Sequence, residues 1–237
     1  MKNDLYKILF GLGAAFGLPW LFLIVLPYLD LSAQEKEQVE YAESDEVDYA
    51  IAYPNYVASG RVAQGEKIYA ANGCAYCHTQ MVRPTYAGAD MWRGWGGREA
   101  DGLARETRPE DYAGEGYAFL GYQRIGPDLA NVGTRISKRL AADNSDLDER
   151  QWHHLHLYNS RAMAGLENSV MPAFKHLYRT QKIYTQRSND ALLLTGKFAP
   201  EDGYEVVPTD DAENLVDYLL SRKKDAKLPA SIVADGR

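Results

Sequence analysis

Cysteine occurs twice in the 237 residues, and both copies stand in one five-residue stretch, Cys74-Ala75-Tyr76-Cys77-His78. Two thiols three positions apart, with a His directly after the second, form the attachment pattern for a c-type haem. Each thiol adds across a vinyl group to make a thioether, and the adjacent imidazole ligates iron from one face. On a helical turn, positions three apart share a side, so both sulfurs reach one porphyrin edge while the His turns under it. Other uses of the pair fit less well. A zinc site wants four protein ligands, and the sequence has no second C-x-x-C or H-x-x-x-H to complete it. A thioredoxin-like pair belongs near a βαβ pattern, and none is visible.

The N-terminus carries the second constraint. Ile8 to Leu29 reads ILFGLGAAFGLPWLFLIVLPYL without one charge, and as a helix it reaches roughly 33 Å, enough to cross a hydrocarbon core. The apolar run is longer than the core of a cleaved secretory signal, so a retained anchor is expected despite the passable cleavage site Leu31-Ser32-Ala33. Lys2 and Lys7 precede the run, whereas Asp30, Glu35, Glu37 and Glu40 follow it. The positive flank stays inside, which puts everything after Leu29 on the outer side of the membrane. Haem c is attached on that side, so the two features agree. Gly13 and Gly17 form a G-x-x-x-G, a face on which another helix can approach closely, and Pro19 removes one backbone donor.

The expected organisation is an anchor over 1–30, an acidic linker over 31–58 and one haem domain over 59–237. A net charge of −7 with no basic stripe argues against nucleic acid. The haem domain opens on RVAQGEKIYAANGCAYCH, read as a helix with Gly65 at a point of close approach. Near the other end, PTDDAENLVDYLLSRKK is the clearest helix, with Leu215, Val216, Leu219 and Leu220 as its apolar stripe and Asp210 with Glu213 as a capping box. A further helix is expected over Leu147–Tyr158. The long Gly-rich region between has little period, and a loop of that length is usually functional or folded against something. The fold class is all-α, with long irregular insertions. Two terminal helices around one haem resemble the class I cytochrome c fold, in which Gly65 and Tyr69 would cross Leu215 and Tyr218.

A haem that only carries electrons gains from a second axial ligand, and Met opposite His raises the reduction potential. The candidates are Met81, Met91, Met163 and Met171, with His153, His154, His156 and His176 as the bis-His alternative. Met81 is too close in sequence to wrap over the far face. Met171 precedes Pro172 in a segment where a rigid loop could present sulfur. In cytochromes c the carbonyl of the Pro in a G-P-x-L turn accepts the ring N–H of the ligating His and fixes its tautomer. By that resemblance Pro127 of RIGPDLANVG would fill the role, with a simple turn at Gly126-Pro127 as the alternative.

Taken in order, GCAYCHTQMVRP, AGEGYAFLGYQRIGPDLANVG, QWHHLHLYNSR and NSVMPAF after one membrane helix resemble the mono-haem subunit, subunit II, of cbb3-type cytochrome c oxidases. The resemblance covers roughly residues 5–30 and 60–175. It implies one covalent haem c on Cys74 and Cys77, with His78 proximal and Met171 distal. It leaves Arg83, Arg124 and Trp152 open between a haem propionate and plain packing. It further implies a bacterial cytoplasmic membrane protein with a single pass, its N-terminus cytoplasmic and its haem domain periplasmic. The partners implied are a catalytic haem b and copper subunit, a further c-type cytochrome and membrane lipid. The expected function is electron relay to a terminal oxidase. The alternatives are the cytochrome c subunit of nitric oxide reductase, a free anchored cytochrome c, a haem enzyme or gas sensor with an open iron site, and a subunit whose haem serves assembly.

Overall fold

The computed structural model describes residues 2–33, 60–97, 104–112 and 115–225. The chain divides into two compact units, 1–43 and 44–237. The acidic stretch expected as a linker lies almost wholly outside the described residues. In the first unit, helix α1 (Lys2–Trp20) runs through a π turn at Leu21–Val25 into α2 (Leu26–Ala33). The wider turn, in which the Leu26 N–H reaches the Leu21 carbonyl, lies between Pro19 and Pro27, neither of which has an N–H to give. The span Asp4–Asp30 has a mean hydropathy of 2.2 in its most apolar window and buries none of it. Among the described residues it is the one helix long and apolar enough to cross a membrane.

The second unit is built on the crossing of α3 (Gly60–Ala71) with the last helix, α7 (Asp210–Leu220). The cause of the close approach is Gly65. A Cβ there would lie 1.9 Å from the Asn214 carbonyl oxygen and 2.7 Å from the Tyr218 Cβ. One turn on, the rings of Tyr69 and Tyr218 meet at 5.3 Å, both fully buried. Outside the crossing, Arg61 of α3 pairs with Glu213 and Asp217 at 3.1 and 2.8 Å, and Arg150 binds the same two carboxylates. Burial of Leu215, Val216 and Leu219 stabilises the packed face by roughly 2 kcal/mol each.

Between these helices come α4 (Cys74–Cys77), α5 (Val132–Ala142) and α6 (Glu149–Asn159). Helix α5 was not among the expected elements, yet Val132, Ile136 and Leu140 recur at four-residue spacing and all three are buried. Helix α6 starts at a capping box in which the Asp148 carboxylate accepts the Gln151 N–H at 2.7 Å and the Asp148 N–H reaches the Gln151 side chain at 3.3 Å. In α7 the expected capping box at Asp210 gives way to a single cap by Thr209, whose hydroxyl accepts from the Ala212 N–H. That hydroxyl also donates to the Leu177 carbonyl at 2.8 Å, tying the helix start to the segment before it.

The all-α expectation needs one correction. Strands β1 (Tyr178–Lys182) and β2 (Tyr204–Pro208) pair antiparallel, with Tyr178 opposite Pro208 and Lys182 opposite Tyr204. The region read as an irregular insertion thus carries a two-stranded ribbon. Its inner face, with Val206 and Tyr178, joins the main core, and that burial stabilises a pairing that would be marginal alone.

The crossing carries a prediction. Gly65→Ala forces Cβ into the α7 backbone and is expected to destabilise the domain by about 1–3 kcal/mol, read as a lower denaturant midpoint with an unchanged slope. Wild-type stability in that variant would contradict the packing described.

Candidate functional site

Just past the end of α3 comes Asn72, whose side chain returns to the Ile68 carbonyl at 2.8 Å. Gly73 then takes a left-handed conformation, φ 68°, and starts the single turn Cys74–Cys77. The two sulfurs are unpaired. Both line a cavity of about 770 Å³ together with His78, Pro127, Trp152 and Met171. Most of its remaining wall is apolar: Tyr69 from α3, Ile136 from α5, Leu157 from α6, and Leu215 and Leu219 from α7.

After Cys77 the chain is joined to residues 126–129 bond by bond. The Gly126 N–H donates to the Cys77 carbonyl at 3.0 Å, and the Leu129 N–H to the Thr79 carbonyl at 2.7 Å. Asp128, fully buried, accepts from the Thr79 hydroxyl at 2.6 Å and from the N–H groups of Met81 and Ala130 at 2.8 Å. Burial raises its carboxyl above the ordinary range, against the pull of these donors. Within this frame His78 Nδ1 stands 2.7 Å from the Pro127 carbonyl oxygen. A carbonyl only accepts, so Nδ1 carries the proton and Nε2 keeps its lone pair free for a ligand. Burial lowers the His78 pKa, which keeps the ring neutral. Gly126 permits the fit, because a Cβ there would lie 2.2 Å from the imidazole. Burial likewise pushes the Cys74 thiol up to about 12, so it waits as a thiol rather than a thiolate.

Of the four methionines considered, only Met171 lines the cavity; of the four histidines, His153 and His156 do. His156 stacks flat on Trp152, centroids 4.7 Å apart. His154 faces Tyr178 and Glu213 instead, and His176 bonds the Asn72 side chain at 2.8 Å. Arg83 stands apart from the cavity wall. Its backbone N–H and guanidinium bind the buried carboxylate of Asp90, at 2.8 to 3.3 Å, and Arg124 pairs with the same group at 2.7 Å. The two arginines hold Asp90 below its ordinary pKa range, against the opposing effect of its burial. Both arginines therefore serve the loop at Asp90 in this arrangement.

Sequence reasoning missed Arg135. From α5 it donates to the Asp128 carbonyl at 2.6 Å with one nitrogen, while the other, Nη1, is buried without a partner. His153 Nε2 and His156 Nδ1 are also buried and unpartnered. All three side chains line the cavity. Unmatched polar atoms in an apolar enclosure are costly. They fit a flat apolar group that carries anionic substituents at one edge, and the thiol pair and the free imidazole nitrogen supply its attachment.

Burial takes His153 down to about 3 and His156 to about 4, against an ordinary 6.5 in the unfolded chain. Between those values the unfolded chain binds protons that the folded one refuses. Stability is therefore full above about 6.5 and falls on acidification by up to about 1.4 kcal/mol per pH unit for each imidazole. Denaturant titrations of the domain without a bound group, at about pH 7 and about pH 4.5, are expected to show this loss, and His153→Leu is expected to reduce it. An unchanged pH slope in that variant would contradict the burial.

Residues 59–199 match the family model described as cytochrome c oxidase, mono-heme subunit/FixO. No curated protein matches the chain. The family match spans the Cys74–His78 turn, the Gly126–Leu129 frame and the Met171 loop. The chain belongs to the FixO family of mono-haem cytochrome c oxidase subunits, the subunit II of cbb3-type oxidases.

Proposed function

We propose that the chain is a membrane-anchored electron relay. Cys74 and Cys77 would hold one haem c covalently, and His78 and Met171 would ligate its iron. The observation that carries the reading is that these four side chains, from two distant parts of the chain, line one cavity whose His is already oriented by Pro127. When bound, haem iron supplies a one-electron couple between ferric and ferrous states.

The protein's residues do the rest. The His78–Pro127 bond fixes the tautomer and the ring plane, and the buried frame around Asp128 holds both. Arg135 and His156 supply the buried polar atoms that would meet the group's carboxylates. Tyr69, Ile136, Leu157 and Leu215 exclude water, which with a sulfur ligand favours a high potential. Exposed Ile125 and Val170 belong to the cavity wall, so one rim is open to partners. The close approach of α3 and α7 at Gly65 supports reading the domain as a class I cytochrome c fold.

In this reading α1 and α2 anchor the chain with its N-terminus cytoplasmic and the haem domain periplasmic. Electrons arrive from another c-type cytochrome and leave for the haem b and copper subunit, which reduces oxygen to water. No acid, base or nucleophile of this chain takes part in that reduction.

Haem staining of denaturing gels tests the attachment. Wild type is expected to retain the stain and Cys74→Ser with Cys77→Ser to lose it; stain in the double variant would sink covalent attachment through this pair. Relay is tested by mixing the reduced complex with oxygen. The c-haem signal of this subunit is expected to oxidise within one turnover, and a signal that lags behind turnover would refute the role.

A further inference from the structure

The segment that carries Met171 has little structure of its own. It leaves α6 through the turn Ser160–Ala162, reverses at Gly165, φ 77°, and lines the cavity from Gly165 to Pro172. Its internal bonds are short-range: Leu166 N–H to the Met163 carbonyl, Ser169 N–H to the Leu166 carbonyl, and Met171 N–H to the Ser169 hydroxyl. Among the described residues, one side chain ties residues 164–172 to the rest of the domain by hydrogen bonds. Arg161 Nη1 donates to the Ser169 carbonyl at 3.0 Å and to the Met171 carbonyl at 2.7 Å.

Arg161 is itself held. The side chain of Asn159, which is buried, accepts its backbone N–H at 3.3 Å. No carboxylate among the described residues pairs with its guanidinium, so its charge is directed at these two carbonyls. Just beyond Pro172, the Phe174 N–H returns to the Leu157 carbonyl at 3.0 Å, and this closes the strap against α6.

We propose that Arg161 is the positioning residue for the distal ligand. It clamps the carbonyls on both sides of Val170 and so fixes the backbone from which the Met171 sulfur reaches the iron. The inference rests on Met171 being that ligand. Hydrogen bonds from a charged donor are among the stronger ones, and removing this one is expected to raise the share of molecules with the loop lifted and the iron open by about tenfold.

The test uses the full haem-loaded chain in detergent, with Arg161→Gln, Arg161→Lys and Met171→Ala beside wild type. Three quantities are read: the Met–iron charge-transfer band of the oxidised form, carbon monoxide binding by the reduced form, and the reduction potential. Arg161→Gln is expected to weaken the band, bind carbon monoxide about tenfold more readily and lower the potential. Arg161→Lys, with the charge kept and the planar fork lost, is expected to fall between. If Met171→Ala loses the band while Arg161→Gln keeps wild-type values in all three, Arg161 has no positioning role and the ligand assignment stands. If Met171→Ala keeps the band, the ligand assignment fails, and this inference with it. Should Arg161→Gln not accumulate, Arg161→Lys decides: faster carbon monoxide binding supports the clamp and the wild-type rate overturns it.

Discussion

The bond from His78 Nδ1 to the Pro127 carbonyl is the contact on which the site depends, because it decides which nitrogen of the ring is free. It is not made by two residues alone. Gly126 leaves room for the ring, the Gly126 and Leu129 N–H groups hold the two segments side by side, and buried Asp128 collects three further donors. A carboxylate buried this deeply would be costly without them. With them it joins the Cys77–Met81 segment to the 126–130 turn as one rigid piece. The reactive groups then inherit their geometry from the backbone and not from loose side chains.

The helix crossing at Gly65 plays the matching part on the opposite side of the core. It brings Tyr69 from one terminal helix and Leu215 and Leu219 from the other onto the same cavity wall. Helices α5 and α6 complete the enclosure and bring in unmatched polar atoms on Arg135, His153 and His156. Apolar walls with a few buried donors on one helix pair make an environment suited to a large flat group with a charged edge. The domain's chemistry is therefore one of holding and tuning, in line with its family's place in a cytochrome c oxidase.

Much of this was legible in the chain because it is written locally. The Cys74–His78 turn, the Gly126-Pro127 pair and the Met171-Pro172 pair are short motifs whose geometry follows from their own residues. The α7 stripe and the membrane segment are periodic or continuous over many residues. What escaped depended on partners far along the chain. Arg83 goes to Asp90 rather than to the cavity, and nothing within either motif announces that pairing. Strand β1 is mostly polar, so only its pairing with Val206 and Val207 shows it to be a strand. The start of α7 lay one residue earlier than read, since Thr209, Asp210 and Asp211 are all competent caps and only the Leu177 contact selects Thr209. Helix α5 is the exception: its four-residue spacing was in plain view, masked by the Gly-Pro turn that precedes it.

The central claim is that one iron sits between His78 and the sulfur of Met171. X-ray absorption at the iron edge of the oxidised full chain counts the scatterers directly bound to the metal. The account predicts five nitrogens and one sulfur, with the sulfur lost in Met171→Ala. Six nitrogens, or five-coordinate iron in the wild type, would contradict it and hand the second face to a cavity histidine or to an exogenous ligand.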